Sequence, residues 1–174
     1  RVERLCVIEG LGFSPKVRAK RDEKSRLEQL REWVNKARAL DQQGASSYPS
    51  VAAAVQRLRE HDPLLSQQLA EYVCEQGMRQ TADGQWRWKY DHLIRASGAA
   101  EVASVEPSDL WRAIVCPVLL MYGAESWASN PQQDGRLQHF AHARVVSVEQ
   151  AGHNLHHHQP EVFMTHLRDF LAGV

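Results

Sequence analysis

The run Val118-Leu119-Leu120-Met121-Tyr122, entered from Pro117 and stopped by Gly123, constrains this chain more than any other segment. It has no apolar–polar alternation, so a strand made from it must be covered on both faces. Such a strand belongs inside a parallel sheet with helices on either side. Two further segments suit the same sheet. One is the β-branched run from Val2 to Ile8, stopped by Gly10 and Gly12; the other is Ala143 to Val148. Ser108 is placed to cap a short helix over 109–113, and 136–142 reads as helical. A final amphipathic helix is expected over 159–172, with Val162, Phe163, Leu167, Phe170 and Leu171 on its apolar side. Strand, helix, strand, helix at this spacing predicts an α/β layer architecture. Three strands alone do not make a well-buried parallel sheet. The chain also begins without Met and already in an apolar run, which leads us to expect further sequence ahead of it.

Between the first strand and the other two lies a stretch of different character, residues 16–106. Its basic start (Lys16, Arg18, Lys20, Arg21, Lys24, Arg26) reads as a solvated helix face or loop. Leu27, Leu30, Val34 and Ala37, widened by Trp33, recur at helical spacing. Residues 42–50 form a loop by composition, and Ser50 caps a helix to His61. Asp62-Pro63 ends that helix, and Ser66 begins another that runs to Gly77. Trp86-Arg87-Trp88-Lys89-Tyr90 alternates aromatic with basic residues and suits a short extended segment. We therefore divide the chain into a core strand and turn (1–15), a mostly helical stretch (16–106) and a carboxyl-terminal core (107–174).

Composition narrows the partners. Lys and Arg number 21 against 21 Asp and Glu, and that balance removes the electrostatic case for nucleic acid or an anionic membrane surface. The longest apolar stretch is too short to span a bilayer. Cys6, Cys74 and Cys116 show neither disulfide nor CxxC spacing, which fits a reducing, cytoplasmic setting.

The segment that could carry chemistry is Ala151-Gly152-His153-Asn154-Leu155-His156-His157-His158-Gln159-Pro160-Glu161. A strand ends, a glycine permits a tight turn, and His153 follows just before a helix. That places an imidazole at the carboxyl edge of the sheet, where open α/β folds bind ligands and where it could move protons near neutral pH. A surface or helix-capping histidine is the plainer alternative. His153 and His157 could also share a helix face as metal ligands. No carboxylate or cysteine stands at ligand spacing beside them, so no metal or other cofactor is expected.

Strand, Gly123-Ala124-Glu125-Ser126-Trp127, helix, strand, then Gly152-His153 and Pro160-Glu161 before the last helix resembles the carboxyl-terminal half of the α/β-hydrolase fold. The likeness is to the capped serine-hydrolase, epoxide-hydrolase and haloalkane-dehalogenase group. It covers residues 2–12 and 107–172, and the helical stretch matches in kind, since such enzymes insert a cap there. The resemblance implies a partial hydrolase core with a helical cap, acting on an ester or related bond of a small apolar molecule. It makes His153 the general base of a nucleophile–His–acid triad. The G-x-S-x-G elbow that would hold the nucleophile is missing; Gly12-Phe13-Ser14-Pro15-Lys16 and Gly44-Ala45-Ser46-Ser47-Tyr48 are the nearest approaches. The nucleophile is thus expected outside this chain, and the chain alone is expected to be inactive.

In most of the family the acid is an Asp three residues after the glycine that ends the next-to-last strand. Here that position is Ser126. A minority place the carboxylate at the end of the earlier strand, which implies Glu9, with Glu125 as the alternative. Trp127, and Trp88 and Trp86 from the cap, would wall an apolar pocket, although packing alone also accounts for them. Two rival functions stay open: a non-catalytic relative of the fold, and an Asp-nucleophile dehalogenase or epoxide hydrolase. A partner is expected only in the form of a small-molecule substrate, self-association or a chain that completes the sheet.

Overall fold

The computed structural model describes residues 2–96 and 106–173. The chain forms two compact units, one taking in Arg1–Arg21 and Ser104–Val174, the other Asp22–Ala103. The expected end of the helical stretch borders residues 97–105, which lie outside the described residues.

The first unit is built on three parallel strands, β1 (Leu5–Ile8), β5 (Val118–Gly123) and β6 (Ala143–Val148), in the order β1-β5-β6. Leu5 pairs with Val118 and Ile8 with Met121; Val118 pairs with Ala143 and Gly123 with Val148. Central β5 is buried at every position, as its unbroken apolar run requires. Its side chains alternate between two cores. Leu119 and Met121 join Val148, Leu155 and Phe170 on one face, whereas Val118, Leu120 and Tyr122 join Leu11 and Phe140 on the other. The helix α7 (Pro160–Ala172) covers the first face through Phe163 and Phe170. Proline at its first turn costs no hydrogen bond, and Gly173, at φ 86°, closes it. The second face is covered by Trp111 of α5 (Pro107–Arg112) and Leu137 of a 3-10 turn, Arg136–His139.

Two local expectations are corrected here. Ser108 is not the cap of α5: Glu106 holds that position without a side-chain bond, and Pro107 opens the helix. The helix expected over 136–142 shrinks to a single 3-10 turn. Gly135 is left-handed (φ 84°) just before it, and Phe140 is already extended. The basic segment becomes α1 (Pro15–Asp22), nearly all of which belongs with the sheet unit. Arg18 pairs there with Glu106 at 2.8 Å.

The second unit holds α2 (Arg26–Gln43), α3 (Val51–His61) and α4 (Gln67–Gly77). A capping box between Ser25 and Glu28 starts α2, while Ser50 and Ser66 accept the N-terminal amide bonds of α3 and α4. Helices α3 and α4 pack around Ala54, Val55, Leu65, Ala70, Cys74 and Met78. The stripe on α2 has no buried residue among those described. This unit also contains a small antiparallel sheet, of which the sequence announces only the extended segment at Trp86–Trp88. Strands β2 (Ser47–Tyr48), β3 (Met78–Gln80) and β4 (Trp86–Trp88) run in the order β2-β4-β3. At two or three residues each, β2 and β3 are too short to display a period, and β2 falls within a stretch that composition assigns to loop. Trp86 and Trp88 lie against the α3–α4 core. Among the described residues no helix is long and apolar enough to cross a membrane.

Candidate active site

The site forms at the carboxyl edge of the parallel sheet, where β1, β5 and β6 end together. Glu9 is the residue immediately after β1. Its amide still bonds to the Met121 carbonyl (3.1 Å), and its backbone then turns left-handed, at φ 47°. A non-glycine residue in that region is uncommon, and outliers of this kind gather at functional sites. The carboxylate is wholly buried. Three donors meet it: the Gly123 amide reaches Oε1 at 2.8 Å, the Ser126 hydroxyl reaches Oε2 at 2.6 Å, and His153 Nδ1 reaches the same Oε2 at 2.6 Å. A buried carboxylate with this many donors meets the demand that burial imposes.

The imidazole arrives from the opposite side. After β6 the chain passes through Gln150, also left-handed at φ 53°, and runs over the end of β5. Glu125 N bonds to Ala151 O at 2.9 Å and Ala124 N to Val148 O at 2.9 Å. Gly123 makes this stacking feasible. A Cβ built there would lie 2.2 Å from Ala151 O and 2.3 Å from Gly152 O, so no larger residue fits beneath the loop. The Gly152 amide donates to His158 Nδ1 at 3.0 Å, anchoring the loop to α6 (Leu155–His158).

With Nδ1–H given to Glu9, the lone pair of His153 is on Nε2, and the side chain is 43% exposed. Trp127 lies beside it, ring centroids 4.8 Å apart, and is itself 77% exposed. Next along the loop, burial first and then the neighbouring imidazoles hold His156 below the usual histidine range. Its Nδ1 has no hydrogen-bond partner among the described residues.

The structure therefore brings together His153, Glu9 and Trp127. Glu125 is exposed and makes no hydrogen bond to His153 among the described residues. Trp88 belongs to the other compact unit, where it stacks on Tyr90 at 5.9 Å. Ser14 starts α1, and Ser46 stands in the other unit, before β2. Burial pushes the thiols of Cys6 and Cys74 up, away from nucleophilic thiolate. Ser126, which cannot serve as an acid, contributes instead as a donor to Glu9. The signal was its register, three residues after Gly123. Among the described residues no group of three or more His, Cys, Asp or Glu is gathered to hold a metal ion.

Comparison with known proteins identifies the family to which this fold belongs. The profile of the alpha/beta hydrolase family covers residues 7–165. The chain belongs to the alpha/beta hydrolase family. Solved structures of similar fold include a thioesterase domain from the curacin biosynthetic pathway (21% identity, TM-score 0.75), spanned over 58% of its length by 96% of this chain. An esterase from Mycobacterium tuberculosis is 20% identical with TM-score 0.72; 98% of this chain covers 55% of it. E-2-(acetamidomethylene)succinate hydrolase is 20% identical with TM-score 0.65; 80% of this chain covers 53% of it. The chain thus spans between half and three-fifths of the length of these hydrolase structures. No curated protein matches it.

Proposed function

We propose that this chain supplies the base and the orienting acid of an alpha/beta hydrolase that cleaves an ester or thioester, with Asp22–Ala103 as its cap. The observation that carries the reading is the 2.6 Å contact between His153 Nδ1 and a fully buried Glu9 carboxylate. In that arrangement Nε2 accepts the proton of an attacking hydroxyl. The imidazolium so formed is stabilised by Glu9, and the proton then passes to the leaving oxygen or sulfur. Trp127 offers an apolar wall beside the reacting edge of the ring.

No G-x-S-x-G elbow occurs in the sequence, so the nucleophile and most of the oxyanion hole are assigned to a segment outside it. That segment would join along β1, which pairs only with β5 among the described residues. Ser126 also favours an enzyme over a decayed relative. It stands where an acid is common, yet it is bonded to the acid that replaces it.

The test is hydrolysis of p-nitrophenyl esters by the 174-residue chain and by its full coding sequence. The full protein should lose about 10³-fold or more in kcat on His153→Ala and roughly 10²–10⁴-fold on Glu9→Gln, as for other triads. The chain alone should show no His153-dependent turnover. Retained activity in the full-length His153→Ala variant defeats the assignment. An Asp in place of the expected Ser would shift the reading to carbon–halogen or epoxide cleavage.

A further inference from the structure

The peptide unit joining Ala151 to Gly152, immediately before His153, is gripped at both of its ends. Its carbonyl oxygen accepts the Glu125 amide at 2.9 Å. Its N–H donates to Nδ1 of His158, in α6, at 3.0 Å. Ala151 and Gly152 are both buried, so neither end has water as a ready substitute. The two grips differ in kind. Glu125 N belongs to the turn that brings Ser126 N onto Gly123 O at 3.1 Å, and the same turn presents Gly123 N and Ser126 Oγ to Glu9. The first grip is thus main chain throughout and ties the base-bearing loop to the acid's own donors. The second depends on one side chain. An amide can only donate, so His158 meets it with the Nδ1 lone pair and carries its hydrogen on Nε2. That is the reverse of His153, whose Nδ1 holds the hydrogen that faces Glu9. Two imidazoles of one short segment therefore take opposite tautomers, each fixed by what its Nδ1 meets.

We propose that His158 is a positioning residue for His153: its Nδ1 lone pair holds the Ala151–Gly152 peptide plane in the orientation that delivers the next side chain to Glu9. The inference rests on the catalytic reading of the Glu9–His153 pair and adds a residue to it. With its carbonyl end fixed on Glu125, the plane can still pivot about that anchor, and the bond to His158 removes this freedom. Loss of the acceptor leaves a buried N–H unpaired. The plane then turns to find another partner and carries His153 away from its 2.6 Å contact with Glu9. What the position must supply is an acceptor and not an imidazole. Asparagine can put its oxygen where Nδ1 stands, whereas leucine copies the branching without any acceptor.

The experiment compares His158→Leu with His158→Asn in the full-length protein, by ester hydrolysis and by amide hydrogen exchange. His158→Leu should lower kcat about tenfold or more with KM within about twofold, while His158→Asn should recover kcat to within about threefold of wild type. Exchange at the Gly152 amide should be about tenfold faster or more in His158→Leu and close to wild type in His158→Asn, with the Leu119 and Leu120 amides of β5 equally protected in all three. A side chain needed only for packing would give neither the recovery by asparagine nor a change in exchange confined to the loop. Should His158→Leu fail to fold, the nitrogen NMR spectrum of the wild-type imidazole in mildly alkaline buffer decides: a bare Nδ1 and a protonated Nε2 on His158 support the proposal. Wild-type kcat in a folded His158→Leu variant, equal loss in both variants, unchanged Gly152 exchange in His158→Leu, or a hydrogen on His158 Nδ1 would each overturn it. Activity that survives His153→Ala overturns the catalytic reading and this one with it. Loss on His153→Ala beside wild-type kcat in His158→Leu overturns this one alone.

Discussion

Glu9 Oε2 receives two hydrogen bonds at the same 2.6 Å, one from the imidazole and one from Ser126. Ser126 Oγ in turn accepts the Ala128 amide at 3.0 Å, so its hydroxyl hydrogen is committed to the carboxylate. On the proposed reading Ser126 is therefore a positioning residue, holding the same carboxylate oxygen that the base contacts. Ser126→Ala should lower kcat of the full-length enzyme about threefold to tenfold with KM little changed, the loss of one charge-assisted bond. Ser126→Asp should be worse than alanine. It sets a second carboxylate against a buried first, and its thermal midpoint should fall below that of Ser126→Ala. Gln150 shows the opposite balance. It takes a left-handed backbone, and its side chain takes no part in the dyad. Gln150→Gly should raise stability by roughly 0.5–1 kcal/mol in urea denaturation, the strain relief exceeding the added chain entropy. The left-handed conformation of Glu9 cannot be relieved the same way without removing the carboxylate.

At the scale of elements, the geometry rests on the end of β5 meeting the loop after β6. The atoms facing Gly123 are main-chain carbonyls, which have no rotamer by which to withdraw. Gly123→Ala should destabilise the sheet unit by about 2–3 kcal/mol as an overpacking substitution. It should also displace His153 from Glu9, visible as loss of the far-downfield Nδ1–H proton signal. Much of this level was legible in the chain. The unbroken run of β5 requires burial on both faces, and Gly152-His153 after β6 puts an imidazole at the sheet edge. In the small sheet only Trp86–Trp88 was legible, from its alternation of aromatic and basic residues; Ser47–Tyr48 and Met78–Gln80 were not, because strands this short are defined by pairing and not by periodicity. The shortened helix at Arg136 has a different cause. Apolar spacing there resembled a helix, but Arg136 is turned inward to bond Gly12 O, Ser129 O and Asp134, and the segment follows those bonds.

For the molecule as a whole, that inward arginine ties distant parts of the first unit together. Arg136 is 3% exposed and links the turn after β1 to the 129–135 loop. Burial pushes its partner Asp134 up, but the bonds from Arg136 and Ser129 outweigh this and hold the carboxyl below its usual range. A carboxyl lowered in the folded state contributes stability that is present above its unfolded value and lost as pH falls through the folded one. The protein should therefore lose stability below about pH 4. Asp134→Asn should cost on the order of 2–3 kcal/mol at pH 7, where it leaves Arg136 buried without its counter-ion. That difference from wild type should shrink in melts run towards pH 3. Sequence alone gave no warning of this pair, since two charges in a polar loop read as solvated surface. Nor did it settle the preference for Glu9 over Glu125: both are carboxylates within two residues of a strand end, and only the fold reveals which one is enclosed.

The contact at Gly123 has a consequence for how such a site can vary. The distance from acid to base is set where two stretches of main chain touch, through hydrogen atoms on an α-carbon and the oxygens of peptide groups. Side chains around the site other than Ser126, which bonds the acid itself, and His158, which anchors the loop of the base, can be exchanged without altering that spacing, provided one position stays bare. Trp127 can thus change while the Glu9–His153 contact remains in register, which on the proposed reading separates the part of the site that chooses from the part that reacts.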